Sequence, residues 1–332
     1  MRAATRLARP TRTLRHPLLG SHHARALVAP PSSLVLQQQQ QHVRRLQYHA
    51  QAPQQPQQEQ VKYLVIDGYI KWGREDLESG GAVTAGQLYA DMLVKCTPPP
   101  YVASYDLIFP ADPDFELPDL SQYHGVGWSG SSLTVYKSDD KRIMQMSDLA
   151  RRCFAQGIPQ FGSCFGAQLA VAVAGGVVAK NKFGKELGIA RKISLTPEGR
   201  AHPMYEGKPS VFGGFTSHND QVTHIMPGGL KLAQNAHTSV QAVSVRYQRG
   251  DFWAVQYHPE YDLHEIARLL YCRRKVSIEL GFFRDMEGAD AYGIDHDVLD
   301  DDIRTCEVKN FIKHLVVPYH KLVTTTGSES SD

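Results

Sequence analysis

Apolar and polar positions follow two different rhythms along this chain. Val61-Lys62-Tyr63-Leu64-Val65-Ile66-Asp67 is a near-continuous apolar run, as expected of a parallel strand buried on both faces. Thr84 to Lys95 instead places Leu88, Met92 and Leu93 at helical spacing, with Thr84 as the N-cap. Tyr105 to Phe109 predicts a second strand, punctuated by Pro98 to Pro100 and by Pro110. Gly125 to Ser129 ends a third, followed by the turn Ser129-Gly130-Ser131-Ser132. Asp140 to Gln156 predicts a helix that leads into a short strand before Cys164. Strands alternating with helices predict an α/β, three-layer fold with a mostly parallel central sheet and flanking helices. Functional groups then belong at the carboxyl ends of the strands. Beyond Gly188 the pattern changes. Gly188–Leu195, Ser210–Phe212, Lys231–Ala233, Val240–Tyr247 and Phe252–Tyr257 predict a small antiparallel section, with Thr216–Val222 as a polar loop.

The organising stretch is Gly157 to Leu169, and within it Gly162-Ser163-Cys164-Phe165-Gly166. Glycines on both sides of a cysteine let the chain turn sharply from strand to helix. The turn holds Cys164 close to a helix N-terminus, which favours the reactive thiolate. A second stretch, Gln256-Tyr257-His258-Pro259-Glu260, follows a later strand. Residues i and i+2 of extended chain face the same way, so His258 and Glu260 point together. A carboxylate beside an imidazole orients the ring and keeps it basic.

Together these stretches resemble the class I glutamine amidotransferases. Gly162-Ser163-Cys164-Phe165-Gly166-Ala167-Gln168 is similar to the family's elbow, and Gln256 to Glu260 is similar to its Gln-Phe-His-Pro-Glu signature with Tyr257 for Phe. Thr216 to Val222 resembles a segment of the amidotransferase domain of GMP synthetase. The resemblance spans roughly residues 61 to 275. It implies a flavodoxin-like sheet and a Cys164 nucleophile assisted by His258 and Glu260. It also implies a substrate amino-acid end held by Gln168, Ser217, Asn219 and Asp220. The oxyanion would be held by the backbone N–H groups of Phe165 and Ser131. Two departures stand out: Ser131 replaces the second glycine of the usual Ser-Gly-Gly-Pro loop, and Ser163 replaces an apolar residue before the nucleophile. The chemistry requires no cofactor and no metal.

Composition sets the surroundings. Residues 1–58 contain eight Arg and no Lys, Asp or Glu, so they carry +8; the chain's net +2 leaves −6 for residues 59–332. A mildly acidic body gives no reason to expect nucleic-acid binding. Five widely spaced cysteines without a CxxC pair fit a reducing compartment rather than a disulfide or zinc framework. No apolar run is long enough for a membrane span. The Arg-rich, acid-free start is that of a mitochondrial transit peptide, with a cytoplasmic location as the alternative. Gln37 to Gln41 and Gln51 to Gln60 are low-complexity linker. The expected divisions are 1–58 for leader and linker, 59–275 for the amidotransferase-like domain, and 276–332 for a C-terminal helix at Val298–Val317 with a tail.

Three functions remain open at this level. One is a glutamine-hydrolysing subunit that passes ammonia to a partner synthase. Another is a stand-alone hydrolase of γ-glutamyl peptides such as glutathione conjugates. The third is a partner-binding protein with a decayed site, against which the intact Cys164, His258 and Glu260 argue. The leader can be tested directly. Residues 1–58 fused to a fluorescent reporter are expected to carry it into mitochondria, and a diffuse cytosolic signal would count against that reading.

Overall fold

The computed structural model describes residues 58–282, 284 and 300–328, together with Gln37. The expected transit peptide and nearly all of the linker lie outside the described residues, as do the last four residues of the expected tail. The chain divides between Gln55 and Pro56, and everything below belongs to the second unit.

A nine-stranded sheet forms the frame. Its strands in chain order are β1 (Glu59–Ile66), β2 (Tyr101–Ile108), β3 (Gly125–Trp128), β4 (Gln160–Ser163), β6 (Glu186–Leu195), β7 (Val211–His218), β9 (Leu230–Gln234), β10 (Ala242–Tyr247) and β11 (Gly250–Val255). The spatial order is β2-β1-β3-β4-β11-β10-β9-β6-β7. The first five strands of that order are parallel. The remaining four continue the same sheet antiparallel. Two further strands, β5 (Val177–Lys180) and β8 (Asp220–His224), pair by themselves.

Burial on both faces explains the apolar runs. On β1, Leu64 and Ile66 enter one core while Val61, Tyr63 and Val65 enter the other. On β11, Phe252 and Ala254 face the first core and Trp253 and Val255 the second. The first face is covered by two helices, here α3 (Lys141–Gln156) and α4 (Phe165–Val173). Asp140 caps α3 through the Arg142 N–H, and Gly157 ends it at φ +76°. After a first helix, α1 (Lys71–Ser79), the second face is covered by α2 (Ala85–Cys96), whose Thr84 cap accepts from the Gln87 N–H. Residues 306–317 share that face.

The structure corrects several expectations. Strand β2 begins at Tyr101, four residues before the expected Tyr105, because it pairs with β1 along its whole length, from Glu59↔Tyr101 to Ile66↔Ile108. Strand β11 ends at Val255, not Tyr257, so Gln256 and Tyr257 have already left the sheet. The segment Thr216–Val222 is not a loop. It is the end of β7 and the start of β8, joined at Asn219, because β7 pairs with β6 as far as Glu186↔His218.

The C-terminal helix at Val298–Val317 resolves into several helical pieces: Asp301–Arg304, Cys306–Phe311, a π turn at Ile312–Val316, and Val317–Ser328. Val308, Phe311, Ile312 and Val316 are fully buried in the second core. This segment is therefore part of the folded body. It is pinned by Lys208, whose ammonium meets Glu307 at 2.5 and 2.6 Å, with both side chains buried. Tyr257 OH also donates to Glu307.

Breaking a buried pair on one side leaves a charge without a partner. Glu307→Ala is expected to destabilise the protein by about 3–5 kcal/mol. The double change Lys208→Met, Glu307→Leu should recover most of that loss. Chemical denaturation of the two variants checks this, and equal stability of both would contradict it.

Candidate active site

Strand register assembles the site. Strands β4 and β11 are parallel neighbours, and Ser163 pairs with Val255 at their carboxyl ends. The chain leaving β4 therefore emerges beside the chain leaving β11. Cys164 N–H donates to Val255 O at 2.8 Å, and His258 N–H donates to Phe215 O on β7 at 2.8 Å. Three strands separate β7 from β11 in the sheet order, so the antiparallel half curls back over the site.

Cys164 is the N-cap of α4 and adopts φ 52°, ψ −101°. This is a strained conformation for a residue with a Cβ, of the kind that persists where the surroundings over-determine it. The flanking glycines permit close approach. A Cβ at Gly162 would lie 2.9 Å from the Phe252 ring, and one at Gly166 would lie 2.9 Å from Trp128 Cβ. A Cβ at Gly130 would lie 3.0 Å from His258 Cε1. Ser131 is absent from the positive-φ residues, so its replacement of glycine carries no left-handed strain.

The three residues expected to do the chemistry come together. His258 Nδ1 donates to Glu260 Oε1 at 2.6 Å, and a Cβ placed on Gly130 would lie 3.0 Å from the imidazole Cε1 and 3.9 Å from Cys164 Cβ, which puts the ring and the cysteine side by side. Both His258 and Glu260 are buried. Burial by itself lowers the imidazole pKa. The Glu260 charge and the contacts to Cys164 outweigh it and raise His258 to about 10. The ring also stacks on Tyr261, with centroids 4.3 Å apart at 8°.

Of the other expected residues, Gln168, Ser217, Asn219, Asp220 and Ser131 line one cavity with Cys164, about 370 Å³ in volume. Gln168 Nε2 donates to Asp220 O at 3.1 Å and to Gln256 Oε1 at 3.2 Å, leaving its carbonyl oxygen available to a ligand. Phe165 does not line the cavity. Its side chain is buried in the first core, and only its backbone, in the first turn of α4, lies next to the cysteine. Amides there lack intrahelical partners. The Ser131 hydroxyl donates to Gly68 O at 2.7 Å and accepts from Leu133 N–H at 3.0 Å, which fixes its loop.

Several contributors went unrecognised in the sequence. Ser163 Oγ donates to Glu260 Oε2 at 3.0 Å, so the hydroxyl that departs from the usual apolar residue holds the carboxylate. Tyr89 OH lies 2.6 Å from Ser163 Oγ and, with that hydroxyl proton directed to Glu260, acts as the donor. Tyr89 looked like an ordinary core position of α2; Ser163 had a signal in its departure from the elbow pattern. Arg273 and Lys185 line the cavity as well. Neither belongs to a motif.

Known proteins bear on this geometry. The profile of the family described as glutamine amidotransferase class-I matches residues 108–271. The chain is 32% identical over 290 residues to a gamma-glutamyl-L-1-hydroxyisopropylamide hydrolase of Pseudomonas, covering 79% of this chain and 96% of that protein. It is 31% identical over 173 residues to a glutamine-hydrolysing GMP synthase of Wolinella succinogenes, covering 51% of this chain and 30% of that protein. A glutamine amidotransferase from Thermotoga maritima has a similar fold, with a TM-score of 0.57 at 16% identity over 77% of this chain and 98% of that one.

The electrostatics of His258 give a direct test. With Glu260 made neutral, burial dominates and the imidazole should lose its proton far more easily. The His258 pKa in Glu260→Gln, followed by NMR of labelled histidine, is expected to fall from about 10 by several units. A value that stays near 10 would show that Glu260 is not its cause.

Proposed function

The chain belongs to the class-I glutamine amidotransferase family, and from that premise we propose that it hydrolyses γ-glutamyl amides through a glutamyl thioester on Cys164. The observation that carries this reading is the buried His258–Glu260 pair hydrogen-bonded behind a cysteine that opens onto a cavity.

The imidazolium of His258 pairs with the Cys164 thiolate. The sulfur attacks the γ-carbonyl carbon, and the resulting oxyanion is met by the backbone N–H groups of Phe165 and Ser131. His258 then gives its proton to the leaving amine as the C–N bond breaks. Water next adds to the thioester, giving a proton to His258. The C–S bond then breaks, releasing glutamate and leaving the Cys164 thiolate paired again with the His258 imidazolium. Glu260 holds the imidazole in orientation, and Ser163 and Tyr89 hold Glu260. Gln168, Asn219 and Asp220 face the amino-acid end of the substrate, Asp220 supplying a carboxylate for the α-ammonium group.

A hydrolase acting by itself is favoured by the match along nearly the whole of the Pseudomonas amide hydrolase. The second reading, a glutaminase that passes ammonia to a partner synthase, is supported by likeness to part of GMP synthase. Ammonia from glutamine in the absence of any partner, with γ-glutamyl alkylamides poor substrates, would favour the second. The acid-free leader supports a mitochondrial location for either.

Cys164→Ala is expected to abolish turnover with the fold intact. His258→Ala should cost about 10²–10⁴-fold or more in rate, the range of general acid–base catalysis. Glu260→Ala should cost less, and the double variant little more than His258→Ala, because residues acting as a unit are not additive. Steady-state hydrolysis of glutamine and a γ-glutamyl alkylamide measures all four. Losses that multiply, or substantial turnover without Cys164, would end this mechanism.

A further inference from the structure

Two cations beside Cys164 meet no carboxylate among the described residues. Arg273 donates to Ser217 Oγ at 3.1 Å and to Tyr69 OH at 2.8 Å. Both partners are neutral hydroxyls, and a guanidinium has five N–H donors, so most remain for a ligand. Lys185 lines the same cavity with no hydrogen bond or ion pair to its ammonium. Burial and the neighbouring Arg273 push it down to about 8. Both line the same cavity as Cys164. Asp76 and Asp220 also line the cavity, yet neither forms an ion pair with Arg273 or Lys185. Two like charges drawn partly out of water without a counter-anion repel one another. A ligand carboxylate removes that cost, and the planar guanidinium matches it in geometry.

Position adds a second argument. Tyr69, Trp72, Leu77, Arg273 and Val276 line the cavity from outside residues 108–271, the segment matched by the family profile. Lys185 and Ser217 lie inside that segment and Arg273 lies outside it, so the guanidinium is supplied by chain beyond the part matched by the family profile.

Resting on the reading of Cys164 as a nucleophile toward γ-glutamyl carbonyls, we propose that Arg273, Lys185 and the Ser217 hydroxyl form a subsite for a substrate carboxylate. That carboxylate is borne by the glutamyl α-carbon or by the leaving group.

The test is calorimetric binding to the full chain carrying Cys164→Ala, which removes both turnover and the thiolate as a competing anion. Three probes separate the sources. γ-L-Glutamylglycine carries both carboxylates, γ-L-glutamylethylamide only the one on the α-carbon, and 4-amino-N-ethylbutanamide neither. Adding Arg273→Gln or Lys185→Met should weaken a carboxylate-bearing probe by about tenfold or more, as for a lost charge-assisted hydrogen bond. The probe without a carboxylate should be unaffected. Weakening of both glutamyl probes assigns the subsite to the α-carboxylate; weakening of γ-L-glutamylglycine alone assigns it to the leaving group. Unchanged affinities, equal loss for the probe without a carboxylate, or no binding of any probe would overturn the proposal. Thermal unfolding accompanies each variant, and Lys185→Met carries the test if Arg273→Gln does not fold. Failure of the hydrolase reading looks different: Cys164-containing enzyme would turn over none of the amides while the Arg273-dependent binding persisted.

Discussion

The level ending of β4 and β11 is the constraint on which the rest of the site depends. Ser163 opposite Val255 brings together two chain segments that are 92 positions apart at their ends. Every parallel neighbour on that side of the sheet serves to hold this register, because strands buried on both faces cannot slip without moving side chains into the wrong core. The elbow at Cys164 is strained, and its strain is sustained by the same arrangement. Gly166 is packed against Trp128 on β3 and Gly162 against Phe252 on β11.

Polar groups follow from that frame in a chain of supports. Tyr89 on α2 holds Ser163, Ser163 holds Glu260, and Glu260 holds His258. All lie out of water, where unpaired donors and acceptors are costly and a satisfied network is correspondingly rigid. Raising His258 so far against the effect of burial requires a carboxylate fixed at hydrogen-bond distance, which the Ser163 and His258 contacts together provide. The C-terminal segment supports the same region from the other face. Glu307 reaches Tyr257, immediately before His258, so residues 300–317 act on the site through packing rather than through chemistry.

The cavity has a different character from this buried network. One part, around Gln168 and Asp220, is made by backbone turns and amides suited to an amino-acid end. Another part, around Arg273 and Lys185, concentrates positive charge in the cavity that Cys164 lines. The first belongs to the segment shared with the family, while most of the wall around Arg273 lies outside it.

The alternation of strands and helices, the elbow and the His258-x-Glu260 pair were all legible in the sequence, because each rests on spacing within a few residues. Glycines flanking a cysteine mark a turn whatever the rest of the chain does; His258 and Glu260 do meet, but in the turn that follows β11 rather than in extended chain. Strand ends were less secure: β2 and β11 were displaced because pairing with a neighbour, not local propensity, decides where a strand stops. Thr216–Val222 looked like a loop for the same reason, being polar yet paired. The Ser163–Glu260 bond spans 97 positions, Tyr89–Ser163 spans 74 and Arg273–Tyr69 spans 204. No local pattern encodes such distances. Only the tertiary structure, by bringing buried hydroxyls and cations to the ends of the central strands, decided which of them serve the site.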